Sequence, residues 1–309
     1  MLEHFAAPRM AAVQKFFQTQ ADSELLGVYA WTQAVSSGLL PILGDFEVAF
    51  RNALHTALSQ QYGGVDSFDW MMTRPNPAAS SNPAAKPLPA RHKMNPRTQE
   101  NVQKAASAIT GKKGGVSPDD IVAALPFGFW EQIINSLDNP AQPPGLQAAI
   151  LSRVFPNAPD LATIAYHSKA FKNRVVSLLT RIRETRNRIG HHDSIWVIPA
   201  FSLAGTVGFL PRHPRHSVTN LKLFADSLCW LSGWISPTIP TYIRRTDHWW
   251  SFQALLSREA LAIYRSLGGN IGTYKALMDI YFQPRRNLKD KAARFRSTAF
   301  RRRLLRYHY

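Results

Sequence analysis

The 309-residue chain contains a single cysteine, Cys229, inside the apolar run Leu228-Cys229-Trp230-Leu231. One thiol closes no intrachain disulfide and builds no cysteine-based zinc site, and its neighbours predict a buried, inert side chain. Nothing in cysteine usage points to an oxidising compartment, so a cytoplasmic location is expected. Acidic residues are scarce as well. Twenty Asp and Glu against 37 Lys and Arg leave a formal charge of +17, which calls for an anionic partner, nucleic acid first and an acidic membrane surface second. No apolar run approaches the ~18 residues of a membrane span. The opening Met1-Leu2-Glu3-His4-Phe5 lacks a basic region followed by an apolar core, so no signal peptide is expected. Strand-like alternation is nearly missing: only Trp196 to Phe209 has strand character, as a short hairpin.

What the chain does have is helical period and large side chains for a core, with eight Trp and 17 Phe. From Asp22 to Tyr62, apolar residues recur every three or four positions: Leu25, Tyr29, Val35, Leu39, Ile42, Phe46, Phe50, Leu54 and Leu58. This predicts a pair of amphipathic helices, broken at Ser37-Gly38, with Pro41 in the first turn of the second and Gly63-Gly64 at its end. The proline-rich stretch over residues 74–97 predicts a long surface loop, with helix resuming near Thr98. Ser117-Pro118-Asp119-Asp120 is a strong helix start that leads into Ile121 to Leu137. Asp160 to Gly190 reads as the longest periodic segment, with Gly190 at its C-cap. Helices are expected again from Ser217 to Leu231, from about Thr241 to Leu267 and from Gly272 to Phe282. Beyond residue 284 the composition changes. Residues 285–309 hold ten Lys or Arg and one acid, +9 of the net +17, with Phe and Leu interleaved. This segment is expected to form a basic C-terminal helical extension, separate from a helical domain over residues 1–284.

One segment assembles chemistry: Arg183-Glu184-Thr185-Arg186-Asn187-Arg188-Ile189-Gly190-His191-His192-Asp193. It sets a permanent cation, an amide and two imidazoles at the end of a long amphipathic helix. Cutting RNA without a metal needs a base for the 2′-hydroxyl proton, which imidazole suits, and a cation for the charge developing on the phosphoryl oxygens. Asn187 lies one helical turn before His191 and is placed to orient that ring or a phosphate. Spacing alone says little, since Arg303 and His308 in the basic tail repeat it. The competing reading is a polar helix terminus in which the histidines interact with the dipole.

Arg186-Asn187-Arg188-Ile189-Gly190-His191-His192 resembles the Arg-Asn-x-x-Ala/Gly-His-His signature of Abi-like (abortive infection) proteins of the HEPN superfamily. Leu125-Pro126-Phe127-Gly128-Phe129-Trp130, and Glu47-Val48-Ala49-Phe50-Arg51-Asn52 following Tyr29-x-Trp31, look like the same family. The resemblance spans roughly residues 25 to 200. It implies an all-α HEPN-like helical bundle and a homodimer whose two motifs form one composite cleft. It also implies a metal-independent endoribonuclease of phage defence or toxin–antitoxin type, with no cofactor. Arg186 and a motif histidine (His191, with His192 second) carry over as catalytic, and Asn187 as the orienting residue. An antitoxin, or a guide or other defence partner, is the candidate accompanying partner, and the sequence does not decide whether one exists. Some toxins of the superfamily have a Tyr two residues after the motif histidine; this chain has Asp193 there, and that regulation is not carried over.

Around this motif, Arg51, Arg183 and Arg188 are the candidate phosphate-binding residues, and Glu47, Asn52 and His55 the supporting ones. Glu47, Arg51 and His55, at i, i+4 and i+8, are expected on one helix face, either bracing the motif helix through an ion pair or lining its cleft. His213-Pro214-Arg215-His216 reads as an exposed turn, and Trp249-Trp250 as core. The rival function is a non-catalytic RNA-binding or sensing protein, in which the basic tail supplies the affinity.

Overall fold

In a computed structural model, described for residues 2–82, 84–115, 117–159, 165–193, 195–270 and 272–281, the fold is all-α. A short amphipathic helix, α1 (Ala7–Phe17), leads into α2 (Asp22–Tyr62), which runs 41 residues without interruption. At 1.5 Å per residue α2 is about 60 Å long. The expected break at Ser37-Gly38 does not occur, and Pro41 sits inside the helix. A proline there costs about 3 kcal/mol, and tertiary packing offsets it. Gly38 lies against Phe252, where a Cβ would come within 3.2 Å of the ring, and at Gly27 a Cβ would fall 2.0 Å from the Tyr264 carbonyl oxygen. These two close approaches seat α10 (Asp247–Leu255) and α11 (Arg258–Leu267) on the N-terminal half of α2. Trp31, fully buried on the same half, donates from Nε1 to the Leu255 carbonyl at 3.0 Å.

The rest of the fold wraps this spine. The proline-rich loop is closed by an antiparallel bridge between Arg74 and Leu88. It ends earlier than expected: Asn95 caps α3 (Pro96–Lys113), so Pro96 opens a helix instead of continuing the loop. Ser117 and Asp120 form the capping box of α4 (Pro118–Ala124). The single helix expected from Ile121 to Leu137 is divided at Leu125-Pro126, because Pro126 holds extended backbone and α5 (Phe127–Asn135) starts beyond it. After α6 (Leu146–Val154), Ser168 caps α7 (Lys169–Gly190). The expected start of that helix, Asp160 to Ile164, lies outside the described residues, and 22 residues make α7 much shorter than α2.

The expected hairpin is a turn in which Phe201 bridges Val207 and the Ala200 amide donates to the Phe209 carbonyl at 2.8 Å; no named strand forms among the described residues. Pro214, expected in an exposed turn, is the first residue of α8 (Pro214–Ile235). The stretch expected as one helix from Thr241 to Leu267 contains α9 (Thr238–Ile243), α10 and α11, and α12 (Gly272–Tyr281) closes the described fold. Trp249 is core as expected, whereas its neighbour Trp250 is exposed. Cys229 is buried, and burial pushes its thiol up to about 11. One hydrophobic cluster runs from Met10 to Leu277; its centre stacks Phe46 on Phe50 and Phe171 on Trp234. The basic C-terminal extension and the second Arg-x4-His at Arg303 lie outside the described residues.

Candidate functional site

The motif helix α7 packs on α5 and α2, and carboxylates on those two helices decide where its arginines go. Glu131 of α5 is buried, and its Oε1 accepts from the Thr180 hydroxyl at 2.9 Å. Its other oxygen lies 3.1 Å from Nε of Arg183 in an ionic contact whose N–H direction is poor for a hydrogen bond. The Arg183 stem continues over Gly128, where a Cβ would sit 3.5 Å from Arg183 Cδ. Arg183 is therefore committed to joining α7 to α5. Arg181 pairs with Glu184 at 2.8 Å, and Arg188 lies 3.9 Å from the Asp193 carboxylate.

Arg186 is held differently. Its Nε is 3.8 Å from Oε2 of Glu47 on α2, and the Glu47 side chain is 13% exposed against 45% for Arg186. The other oxygen of Glu47 accepts a close hydrogen bond from Arg51 Nη2, four residues along α2. Arg51 Nη1 donates to the Ala123 carbonyl at 3.1 Å and reaches the Val122 carbonyl at 3.5 Å, satisfying the C-terminal end of α4. Burial is the largest influence on Arg51 and lowers its pKa; Glu47 opposes the shift, and Arg186 adds to it by repulsion. One carboxylate is thus shared by two guanidinium groups, one half-buried and one facing solvent. Among the described residues the terminal nitrogens of Arg186 have no hydrogen-bond partner.

His55 does not belong to this group. A step of four residues turns about 40° around a helix and a step of eight about 80°, so the line from Glu47 through Arg51 carries His55 into the core. There Nδ1 accepts from Trp70 Nε1 at 3.2 Å, and Nε2 faces the Ser59 hydroxyl at 3.4 Å. The Ser59 hydroxyl donates in turn to the Ser67 carbonyl at 3.2 Å, which assigns the proton of His55 to Nε2. Burial holds His55 below the usual histidine range. Asn52 is exposed on α2.

The histidine pair closes α7. Gly190 is the last helical residue, His191 is the C-cap, and the left-handed position falls on His192 at φ 54° instead of on glycine. The turn is held by backbone hydrogen bonds from His192 to Ile189 at 3.0 Å and from Asp193 to Arg188 at 2.7 Å. A left-handed histidine is uncommon, though histidine tolerates the region better than most side chains. His191, His192 and Asn187 are all exposed. No hydrogen bond or ion pair joins Arg186 to either histidine among the described residues. The structure brings Arg186, Glu47 and Arg51 together, and it places the histidines at the open end of the same helix.

Sequence reasoning missed Glu131 and Thr180, which fix Arg183. It also missed a polar cluster at the opposite end of α7. Lys172, buried on the mostly apolar face of α7, is bonded to Asp138 at 2.6 Å. Beside it, a cleft of about 340 Å³ is lined by Lys93, Gln132, Asn135, Ser136 and Asp138. Ser136 is 2.9 Å from Nε2 of buried His92, whose pKa burial lowers to about 4. A buried lysine on α7 was readable only as an interruption of its apolar stripe. Among the described residues no group of three or more His, Cys, Asp or Glu is arranged to hold a metal, and no helix is long and apolar enough to cross a membrane. No family model, curated protein or solved structure matches the chain.

Proposed function

We propose that the protein is an endoribonuclease of HEPN type. In this reading Arg186 clamps the scissile phosphate, Asn187 orients it, and His191 or His192 handles the proton. The observation that carries the reading is the charge imbalance at Glu47. One carboxylate faces two guanidinium groups, so a unit of positive charge is left over at the exposed one, Arg186. The long contact at Nε leaves both terminal nitrogens of Arg186 for a phosphate, the fork geometry that suits bidentate binding. The two exposed histidines at the end of the same helix supply the base and the acid.

The chemistry follows from these parts. An imidazole accepts the 2′-hydroxyl proton, O2′ attacks phosphorus, and the bond to the 5′-oxygen breaks. A proton from the conjugate acid or a second imidazole goes to the leaving oxygen, which gives a 2′,3′-cyclic phosphate and a 5′-hydroxyl. Because Arg186 touches neither histidine within one chain, a second copy is the natural source of the complementary group, as in the composite cleft of a homodimer. The test is incubation of the purified protein with RNA in EDTA, with the ends of the products identified. Cyclic phosphate ends that vanish on Arg186→Ala, and on His191→Ala with His192→Ala, are expected. RNA retention without cleavage, unaffected by these changes and lost when residues 285–309 are deleted, refutes the nuclease in favour of a binding protein.

A further inference from the structure

The segment between α7 and α8 displays apolar side chains that a loop of its size normally hides. Leu203, Val207, Phe209 and Leu210 are 49, 60, 48 and 58% exposed. A loosely held loop is not the cause. Asn220, buried on α8, donates from Nδ2 to the Ile198 and Phe209 carbonyls at 3.0 Å each, tying the two legs together. Gly205, at φ +80°, lies so close to α7 that a Cβ would come within 2.7 Å of Ser177 Cβ. Arg174 Nε donates to the Leu203 carbonyl at 2.9 Å. The chain therefore fixes this hairpin at its base and its middle while leaving four large apolar side chains in water, the mark of an interaction surface.

Positive charge predominates around the hairpin. No Asp or Glu occurs in the sequence between Asp193 and Asp226. Arg212 and Arg215 follow the hairpin directly, and Arg212 lies over the Phe209 ring at 5.8 Å. Next to them a groove of about 260 Å³ combines apolar Pro214, Val218 and Leu261 with Arg215 and Arg258. Among the described residues, Arg212, Arg215 and Arg258 make no ion pair with a carboxylate.

We propose that this face docks the protein onto an anionic lipid bilayer. The hairpin side chains Leu203, Val207, Phe209 and Leu210 enter the interfacial layer, and Arg212, Arg215 and Arg258 meet the charged headgroups. An anionic bilayer supplies both an apolar layer and negative charge in the same plane. A second copy of the chain fits poorly, because a twofold contact through this face brings two positively charged surfaces together. Single-stranded RNA fits poorly too. Three of the four exposed side chains are aliphatic and offer no stacking face.

The test is sedimentation of the full chain with phosphatidylcholine vesicles, with and without phosphatidylserine. Residues 285–309 are present in every variant, so their attraction to the vesicles is common to all. The informative pair is Val207→Asp with Leu210→Asp, compared with Val65→Asp and Tyr242→Asp. The second pair makes the same charge change at exposed apolar positions outside the hairpin and its groove, and all four positions are exposed, so folding is preserved in both. The hairpin pair is expected to lower partitioning at least tenfold relative to the control pair. Replacing Arg212, Arg215 and Arg258 by Ala is expected to lower it roughly a hundredfold, at about fivefold per cation. Equal partitioning of the two Asp pairs, no dependence on phosphatidylserine, or a hairpin effect on RNA retention instead of vesicle binding each overturns the proposal.

Discussion

Replacing Glu47 by Gln removes one negative charge from between two arginines while keeping the shape of the side chain. The two contacts should respond very differently. The Arg51 and Glu47 side chains are 12 and 13% exposed, so the change leaves a half-buried guanidinium without its counter-charge. Breaking a buried pair from one side typically costs about 3–5 kcal/mol. Here Gln can still accept one hydrogen bond, and the Ala123 and Val122 carbonyls remain, so about 2–3 kcal/mol is expected. The contact to Arg186 is 3.8 Å long and its guanidinium is 45% exposed, which puts it with surface ion pairs. Such pairs contribute about 0.2–1 kcal/mol. A double-mutant cycle in urea separates the two, with Arg51→Met and Arg186→Met each made alone and with Glu47→Gln. The Glu47–Arg51 coupling should be about 2 kcal/mol and the Glu47–Arg186 coupling below about 0.5 kcal/mol. A larger coupling to Arg186 than to Arg51 would refute the division into a structural and a displaceable arginine. So would a destabilisation by Glu47→Gln too small to measure.

Three further outcomes follow from packing and charge. Gly27→Ala drives a Cβ into the Tyr264 carbonyl and should destabilise by about 3 kcal/mol or more, whereas Gly44→Ala, with nothing within 4 Å, should stabilise by about 0.5–1 kcal/mol; thermal melts of both decide it. Asp138→Ala strands the buried Lys172 ammonium and should cost more than Lys172→Met, which strands only a partly exposed carboxylate; urea midpoints in the opposite order would contradict this. His92 is held neutral by burial, with its pKa lowered to about 4 from an ordinary 6.5. The unfolded chain takes up this proton below pH 6.5 and the folded chain only near pH 4, so stability falls as the pH drops through that window. The loss reaches about 3 kcal/mol, and it should be largely absent in His92→Gln, which is checked by urea unfolding at pH 7 and pH 5.

Helix ends were legible because their signals are local. Ser117-Pro118-Asp119-Asp120 contains every donor and acceptor of its own capping box. The break expected in α2 failed for the opposite reason. Gly38 and Pro41 are genuine local breakers, but Gly38 is also the smooth surface on which Phe252 packs, and sequence spacing alone cannot distinguish those uses. In the site, Glu47 and Arg51 were readable as an i, i+4 pair. Their approach to Arg186, more than a hundred residues later, depends on how α2 crosses α7. His55 was drawn onto the same line by a spacing that looks helical but drifts by about 80°, enough to exchange cleft for core. Lys172 and His92 were invisible because their partners, Asp138 and Ser136, come from another part of the chain.

The motif segment shows how the fold distributes a surplus of arginine. Arg181 and Arg188 are matched with carboxylates on their own helix or its cap, and Arg183 with Glu131 on α5. Releasing Arg183 to bind an anion would strand the buried Glu131 carboxylate, whereas Arg181 and Arg188 face carboxylates that are about half exposed. Arg186 shares an acid already held by Arg51, so leaving Glu47 strands no charge: the Arg51–Glu47 pair stays neutral behind it. An arginine that can be drawn away without stranding a buried carboxylate is taken by an incoming phosphate at less cost than Arg183 would be. If Arg186 is that residue, Arg186→Lys should weaken RNA retention more than Arg183→Lys or Arg188→Lys does, because only at position 186 does the bidentate fork meet the ligand. Filter binding of the three variants at one salt concentration measures the order. Equal losses at all three positions would mean that the segment acts as a diffuse basic patch and that Glu47 confers no selectivity.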